Sequence, residues 1–125
     1  MQGLARHTHM MKKGRYIVAF YAFMMTRKEE CCLREKVIEQ KFREAVRQKG
    51  GLALKFSPAG FDGMPDRLVL LPNGKIAFVE VKKKGEKPRP LQLARHRLLK
   101  QLGFRVYVLD DVAQIGGIID EIQSA

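Results

Sequence analysis

The chain has 125 residues, which is room for one domain with one hydrophobic core. Its 46% content of hydrophobic residues is typical of a globular protein and excludes an intrinsically disordered chain. The formal net charge of +11 predicts affinity for polyanions, with nucleic acid as the first candidate and an anionic membrane surface as the second. Charge alone does not indicate catalysis, because structural nucleic-acid-binding proteins have the same balance.

The cysteines argue against a secreted, disulfide-built domain. Cys31 and Cys32 are neighbours in the sequence, and neighbours make a poor structural disulfide. A reducing compartment therefore fits better. A zinc site is not expected either, because there is no second cysteine pair and His7, His9 and His96 lack zinc-finger spacing.

Residues 1–25 are predicted to be an N-terminal extension, and residues 26–125 the main domain. A basic stretch followed by the apolar run Tyr16–Met25 imitates a secretory signal. The run is too short to span a bilayer, and no small-residue cleavage site follows it. A packing strand or helix at a subunit contact is one alternative, and translation from Met24 or Met25 is another. We expect no membrane partner.

The main domain is predicted to begin with a long helix. Thr26 and Glu29 have the spacing of a capping box, and neither Pro nor Gly occurs from there to Lys49. Gly50–Gly51 supplies a stop, which predicts a helix over about residues 27 to 49. The apolar residues that recur at helical spacing in it are Leu33, Val37, Ile38, Phe42, Ala45 and Val46.

A short strand and a hairpin are predicted next. Leu52–Phe56 is predicted as a strand and Ser57–Pro65, rich in Gly and Pro, as a loop. Arg67–Leu71 and Lys75–Lys82 are predicted as two strands joined by the turn Pro72–Gly74.

The remaining third of the chain is predicted to return to the sheet through a helix. The predicted elements are a basic loop at Lys83–Pro90, a helix at Leu91–Leu102 ended by Gly103, a strand at Arg105–Leu109, and a last helix capped by Asp110 or Asp111 that runs to about Ile122. This order predicts an α/β fold, a small mixed β-sheet flanked by helices. Because a helical crossover precedes the last strand, that strand is expected to lie parallel to a central one.

Two acids and a lysine come together in this scheme. Side chains alternate along a strand, so Glu80 and Lys82 share one face and Val81 lies on the other. Asp66, after a Gly-x-Pro turn, begins the paired strand. Buried charges need partners: either these residues form only a salt-bridge network, or Asp66, Glu80 and the Val81 backbone carbonyl bind a divalent cation such as Mg²⁺ or Mn²⁺. Lys82 would then orient water or stabilise charge on a phosphate.

At these positions the chain resembles a known family. The turn ending at Asp66, the Glu-Val-Lys triplet at 80–82 and Gln92 are similar to the PD-(D/E)xK nuclease superfamily and, within it, the VRR-NUC domain, over about residues 33–122. The resemblance implies a restriction-endonuclease-like core and a Mg²⁺- or Mn²⁺-dependent DNA endonuclease. It also implies a phage or bacterial homodimer, cytoplasmic in a bacterial or phage-infected host cell, that acts on branched DNA such as four-way (Holliday) junctions.

The resemblance also assigns roles by position. It implies that Asp66, Glu80 and the Val81 carbonyl bind metal and that Lys82 is the catalytic lysine. A basic nucleic-acid-binding module without catalysis remains the alternative.

Two further roles are implied on the helices. Glu39, on the first helix, would be the accessory acid, possible as a metal ligand through water; alternatively it forms a surface i,i+4 pair with Arg43. Gln92 would steady the site, or is merely an exposed first-turn residue. Family members often have a Ser or Thr cap shortly before this Gln, and Pro88–Leu91 stands there instead, which leaves the helix start open.

The basic residues cluster after the motif, opposed there only by Glu86, and are expected to track phosphates. They are Lys83, Lys84, Lys87, Arg89, Arg95, Arg97, Lys100 and Arg105. An ordinary solvated helix face is the alternative. No Phe, Tyr or Trp stands between Lys83 and Lys100, so recognition by backbone and shape is expected rather than base stacking. Lys55 and Arg67 are further candidates for DNA contact, and His96 is expected to be a surface or DNA-contacting residue.

Overall fold

The computed structural model describes residues 27–125, with side chains from residue 34 onward. The predicted N-terminal extension and the Thr26 cap lie outside the described residues. Among the helices that are described, none is long and apolar enough to cross a membrane. Residues Cys32–Ala125 form one compact unit, and it contains every side chain discussed below.

The secondary structure follows the predicted order. The elements are helix α1 (Arg27–Gln48), strands β1 (Leu52–Lys55), β2 (Arg67–Leu71) and β3 (Lys75–Val81), helix α2 (Pro90–Gln101), strand β4 (Arg105–Leu109), a 3-10 turn (Val112–Gln114) and helix α3 (Ile115–Gln123). The last helix is preceded by the 3-10 turn, whose cap is Asp111: its carboxylate accepts from the Ala113 N–H at 3.0 Å.

The four strands form one mixed sheet in the order β1-β2-β3-β4. The pairs β1–β2 and β2–β3 are antiparallel, and β3–β4 is parallel. The helical crossover α2 makes this last pairing possible, because parallel neighbours need a long connection. The predicted parallel last strand is therefore confirmed.

The β2–β3 turn sets the register that matters for the site. Asn73 and Gly74 both have positive φ, 68° and 71°, which is the geometry of a two-residue hairpin turn whose twist matches that of the strands. The resulting register pairs Arg67 with Val79. Asp66, one residue before Arg67, is thereby brought to the end of β3 that carries Glu80.

Helices cover both faces of the sheet. On one face α1 and α3 pack against the strands to form the core, which consists of Ile38, Phe42, Val46, Val69, Leu71, Ala77, Val79, Val81, Leu109, Ile115, Ile118, Ile119 and Ile122. On the other face α2 brings Gln92 and His96 against Glu80. Strand β3 is therefore buried on both sides, and the Glu80 side chain that it carries is in the interior.

Candidate active site

Two of the predicted acids, Glu39 and Asp66, line a cleft of about 320 Å³, and the third, Glu80, is buried behind it. Helix α1 contributes Glu39, β1 contributes Lys55, and the loop between β1 and β2 leads into Asp66. Val81 closes the cleft from β3. Residues 42 positions apart in the sequence are thus gathered in one place, as the predicted site requires.

Asp66 is fixed by hydrogen bonds at both its side chain and its backbone. Its Oδ2 accepts from the Val81 N–H at 3.1 Å, and its carbonyl oxygen accepts from the Phe56 N–H at 2.7 Å. The carboxylate is therefore tied to the residue whose backbone carbonyl is the predicted third metal ligand.

The Glu80 carboxylate is completely buried, and its two oxygens have different surroundings. Oε1 accepts from Gln92 Nε2 at 2.8 Å and lies 3.5 Å from Lys82 Nζ. Oε2 has no hydrogen-bond partner among the described residues, and the atom it faces, His96 Nε2, is 3.7 Å away. One half of this carboxylate is therefore held in place by the described protein, and the other half is left without a partner there.

Burial, and after it the charge of Asp66, raises the pKa of Glu80 to about 7, although Lys82 acts in the opposite direction. A cation held beside Glu80 and Asp66 would favour the ionised form of Glu80. The donor set fits a hard divalent ion, because Oε2 is an oxygen ligand that no described residue occupies. Within residues 34–125 no three His, Cys, Asp or Glu side chains form a ready-made metal cage.

Glu35 is a site residue that the sequence analysis missed. It lies one turn before Glu39 on α1 and lines the same cleft. Burial and then the Asp66 carboxylate raise the pKa of Glu35, and Lys82 opposes this rise. Because residues four apart share a helix face, the spacing from Glu39 was the signal that could have identified it.

Glu39 points toward the sheet, as the active-site prediction requires, and its carboxylate accepts a hydrogen bond from Arg67 Nη2. This contact directs Glu39 to Arg67 rather than to the surface pair with Arg43. Arg67 is only 8% exposed and also donates to the Ala53 carbonyl oxygen at 3.3 Å. The guanidinium of Arg67, a predicted DNA contact, is therefore bonded inside the protein.

The start of α2 explains how Gln92 reaches the site without a Ser or Thr cap. Pro90 begins the helix, a position where its missing N–H costs nothing. Gln92 Oε1 accepts from the Arg89 N–H at 2.8 Å, while its Nε2 donates to Glu80. The side chain caps the helix and holds the catalytic candidate at the same time. Gln92 is buried, so the alternative of an exposed first-turn residue is wrong.

His96 is also buried, at 5% exposure, one turn after Gln92. The expectation that it is a surface or DNA-contacting residue is therefore wrong. Burial lowers its pKa, and the charges of Lys100 and Lys82 lower it further. A neutral imidazole against Glu80 is what this environment favours.

The predicted DNA-binding residues differ in their surroundings. Lys84, Lys87 and Arg89 are exposed on the loop before α2, and Lys84 Nζ lies 3.5 Å from Asp111 Oδ2. The other predicted contacts are Lys83, half-buried on the same loop, Lys55, exposed in the cleft wall, and Arg95, half-buried on α2. The cations of this loop stand just after the triplet that holds Glu80 and Lys82.

Comparison with known proteins identifies the family. No protein-family model matches the chain. A protein of Acyrthosiphon pisum secondary endosymbiont phage 1, named "Putative nuclease p44", is 55% identical over 78 residues, which are 62% of this chain and 84% of that protein. A solved structure described as "VRR_NUC domain" superimposes with a TM-score of 0.66 at 36% identity, over 70% of this chain and 95% of its own. The chain belongs to the VRR-NUC family.

Membership confirms the nuclease assignment and the fold. The VRR-NUC chain has the restriction-endonuclease-like arrangement of a four-stranded mixed sheet with flanking helices. The phage relative agrees with the predicted phage or bacterial type. The likeness covers most of the length of both relatives, 84% of the phage protein and 95% of the solved structure.

Proposed function

We propose that this VRR-NUC nuclease is a Mg²⁺- or Mn²⁺-dependent DNA endonuclease that hydrolyses phosphodiester bonds in branched DNA such as four-way junctions. The observation that carries the metal dependence is the buried Oε2 of Glu80 beside Asp66, which no described residue satisfies. A salt-bridge network alone would leave this oxygen unsatisfied at a cost of about 1–3 kcal/mol. A bound cation would satisfy it.

In this proposal the metal would be held by Asp66, Glu80 and the Val81 carbonyl, with Glu35 or Glu39 contributing through water. A bound divalent ion would supply an activated water and would neutralise charge on the phosphate.

Two further side chains would position the metal ligand Glu80 and stabilise the transition state. Gln92 fixes Glu80 through Oε1, which leaves Oε2 for the ion. Lys82, 9% exposed and 3.5 Å from Glu80, is held where an ammonium group can orient the water or stabilise the transition state.

The DNA is proposed to be held by its backbone. The exposed cations Lys84, Lys87 and Arg89 stand beside the motif, and the whole chain carries a net charge of +11.

Cutting both strands of a junction requires two active sites, so we propose a homodimer. We also propose that residues 26–125 form the nuclease domain, with 1–25 as an extension, and that the enzyme acts in the cytoplasm of a bacterial or phage-infected cell.

A cleavage assay tests the proposal directly. The purified protein would be mixed with labelled four-way, flap and linear duplex DNA in Mg²⁺, Mn²⁺ or EDTA. We expect cleavage with either metal, none in EDTA, and a loss of at least about 100-fold in rate for Asp66→Ala and Lys82→Ala. Asp120→Ala and Lys41→Ala remove the same charges from exposed helix positions and should cut like the wild type.

Other outcomes separate the parts of the proposal. DNA binding without cleavage in any metal would favour the non-catalytic module. Equal cleavage of linear and branched DNA would contradict the substrate preference while leaving the endonuclease intact. Light scattering at assay concentration that reports only a monomer would contradict the homodimer.

A further inference from the structure

An aromatic side chain lines the cleft and is not used by the proposed chemistry. Phe61, in the loop between β1 and β2, is 40% exposed and borders the same cleft as Asp66 and Glu35. The basic segment from Lys83 to Lys100 contains no Phe, Tyr or Trp, which is why the sequence did not predict base stacking. The folded loop places Phe61, five residues before Asp66, in the same cleft as Glu35, which is 26 positions earlier in the chain.

The position of this ring is fixed by contacts with α2. The guanidinium of Arg95 lies 3.8 Å from the centroid of the Phe61 ring, a cation–π contact. The same side chain donates from Nε to the Asp62 carbonyl oxygen at 2.8 Å. The predicted DNA contact Arg95 is therefore engaged with the loop, and one face of the ring is covered by it.

The loop makes a second contact with α2, where the backbone of Gly63 lies close to Leu91. Gly63 has φ +85°, and a Cβ atom at this position would lie 2.8 Å from Leu91 Cγ. Only glycine allows this approach without a shift. Because two separate contacts hold the loop on α2, little ordering remains to be done when a ligand meets the ring.

We propose that Phe61 stacks on an unpaired nucleobase next to the phosphate that would be cut at the proposed metal site of Asp66 and Glu80. This inference rests on the proposed DNA endonuclease function and specifies its substrate: DNA that offers an unstacked base beside the cut, as at a fork or an opened junction. An aromatic face accepts any base, so the contact would select structure rather than sequence. Arg95 behind the ring supports it and adds positive charge to the stack.

The experiment uses a forked DNA with 2-aminopurine at the first unpaired position, bound in Ca²⁺ in place of Mg²⁺, so that the site holds a hard divalent cation while cleavage is measured separately. Stacking on the wild-type ring should change the 2-aminopurine fluorescence. Phe61→Leu should abolish this change and weaken binding of the fork by about 5- to 100-fold, the range for removal of one base–aromatic stack. Binding of blunt duplex should be unchanged. Phe61→Tyr, which keeps a ring, should behave like the wild type.

Phe104 provides a matched control, because it is also 40% exposed but lies immediately before β4, outside this cleft. Phe104→Leu should keep both the fluorescence change and the affinity. If Phe61→Leu fails to fold by circular dichroism, Phe61→Met supplies a ring-free side chain of similar volume.

Retention of the fluorescence change and of fork affinity in a folded, ring-free variant would overturn the inference. That result would leave the nuclease proposal standing, because cleavage is measured separately in Mg²⁺. Conversely, a wild-type protein that stacks the base but cuts no DNA would refute the endonuclease and retain the binding site.

Discussion

At the scale of single residues, the site holds charges where the fold disfavours them. Glu80 is fully buried and Lys82 is 9% exposed, yet within the described residues Glu80 is hydrogen-bonded through one oxygen only. Gln92 holds this carboxylate in place, while Asp66 disfavours its ionisation. Perturbed acids in a cleft are typical of functional sites. A bound cation would stabilise the ionised, buried Glu80 carboxylate.

The raised pKa of Glu80 predicts how the metal-free protein responds to pH. The folded state keeps the proton up to about pH 7, whereas the ordinary pKa is 4.5, so the free energy of unfolding falls as pH rises between these values. Glu80→Gln should remove this decrease and be more stable than the wild type by about 1–2 kcal/mol at pH 8, after screening by water in the cleft. Urea unfolding in EDTA from pH 4.5 to 8 measures the free energy of unfolding of both proteins. If it changed with pH in the same way for the wild type and Glu80→Gln, the prediction would be contradicted.

The two acids of α1 are predicted to differ in what they support. Burial and the Asp66 carboxylate disfavour the charge of Glu35, so Glu35→Gln should not lower stability and should weaken metal activation by about 10- to 100-fold. Glu39 instead neutralises the buried Arg67, so Glu39→Gln should lower the free energy of unfolding by about 1–3 kcal/mol.

Thermal melts and cleavage rates against Mg²⁺ concentration distinguish these two roles. Each variant serves as the other's control, because both remove one negative charge from the same helix face. If Glu39→Gln alone impaired metal activation and kept full stability, the two roles would be reversed.

At the scale of elements, close contacts join α1 to the hairpin. Gly51 follows α1, and a Cβ atom there would lie 2.4 Å from the Leu70 carbonyl oxygen and 2.6 Å from Leu71 Cδ2. The helix carrying Glu35 and Glu39 therefore enters β1 directly against β2. A glycine at this junction is required by space, since its φ is not in the left-handed region.

Glycine substitutions test this packing. Gly51→Ala should lower the free energy of unfolding by about 1–3 kcal/mol, because the backbone oxygen it meets cannot turn aside. Gly117, exposed in α3 with nothing among the described residues within 4 Å of its Cβ position, is the matched control: Gly117→Ala should raise stability by about 0.5–1 kcal/mol. Urea midpoints measure both. If Gly51→Ala left the free energy of unfolding unchanged, the backbone between α1 and β1 would have to shift enough to accommodate the methyl group.

At the scale of the whole molecule, acids and cations are separated. The acids Glu35 and Asp66 line the cleft and the buried Glu80 lies near Asp66, while the exposed cations Lys84 and Lys87 stand on the loop beyond β3. A polyanion would be attracted by the net charge of +11 and guided by these cations, with repulsion at the cleft relieved by the metal. DNA affinity should therefore depend on salt and on the divalent ion together.

The salt dependence is predicted quantitatively. Replacing Lys84, Lys87 and Arg89 by Ala should reduce the slope of log K against log salt by about 0.9 for each phosphate that these side chains neutralise. Replacing Lys41 and Lys49, exposed on or just after α1, should leave the slope unchanged. Fluorescence anisotropy with duplex DNA between 50 and 200 mM salt, about the range over which such interactions weaken, measures it. Equal slopes for the wild type and both variants would contradict the assignment of Lys84, Lys87 and Arg89 as phosphate contacts.

The sequence by itself determined the elements, because helix spacing, strand alternation and the Asn73–Gly74 turn are local properties. It also determined that Glu80 and Lys82 share a face, since strand periodicity requires it. It did not predict burial where the surroundings come from other elements. Arg67 and His96 are polar residues with no local sign of burial, and the acids that they face, Glu39 and Glu80, lie 28 and 16 positions away.

Only the tertiary structure decided which polar groups are satisfied. Glu35 joined the site because α1 lies over the cleft, and Phe61 reached it because the loop is held on α2. Glu80 Oε2 likewise lacks a hydrogen-bond partner among the described residues only because β3 is covered on both faces, which keeps this oxygen from water. Burial and pairing depend on contacts between distant segments, and periodicity along one segment does not contain them.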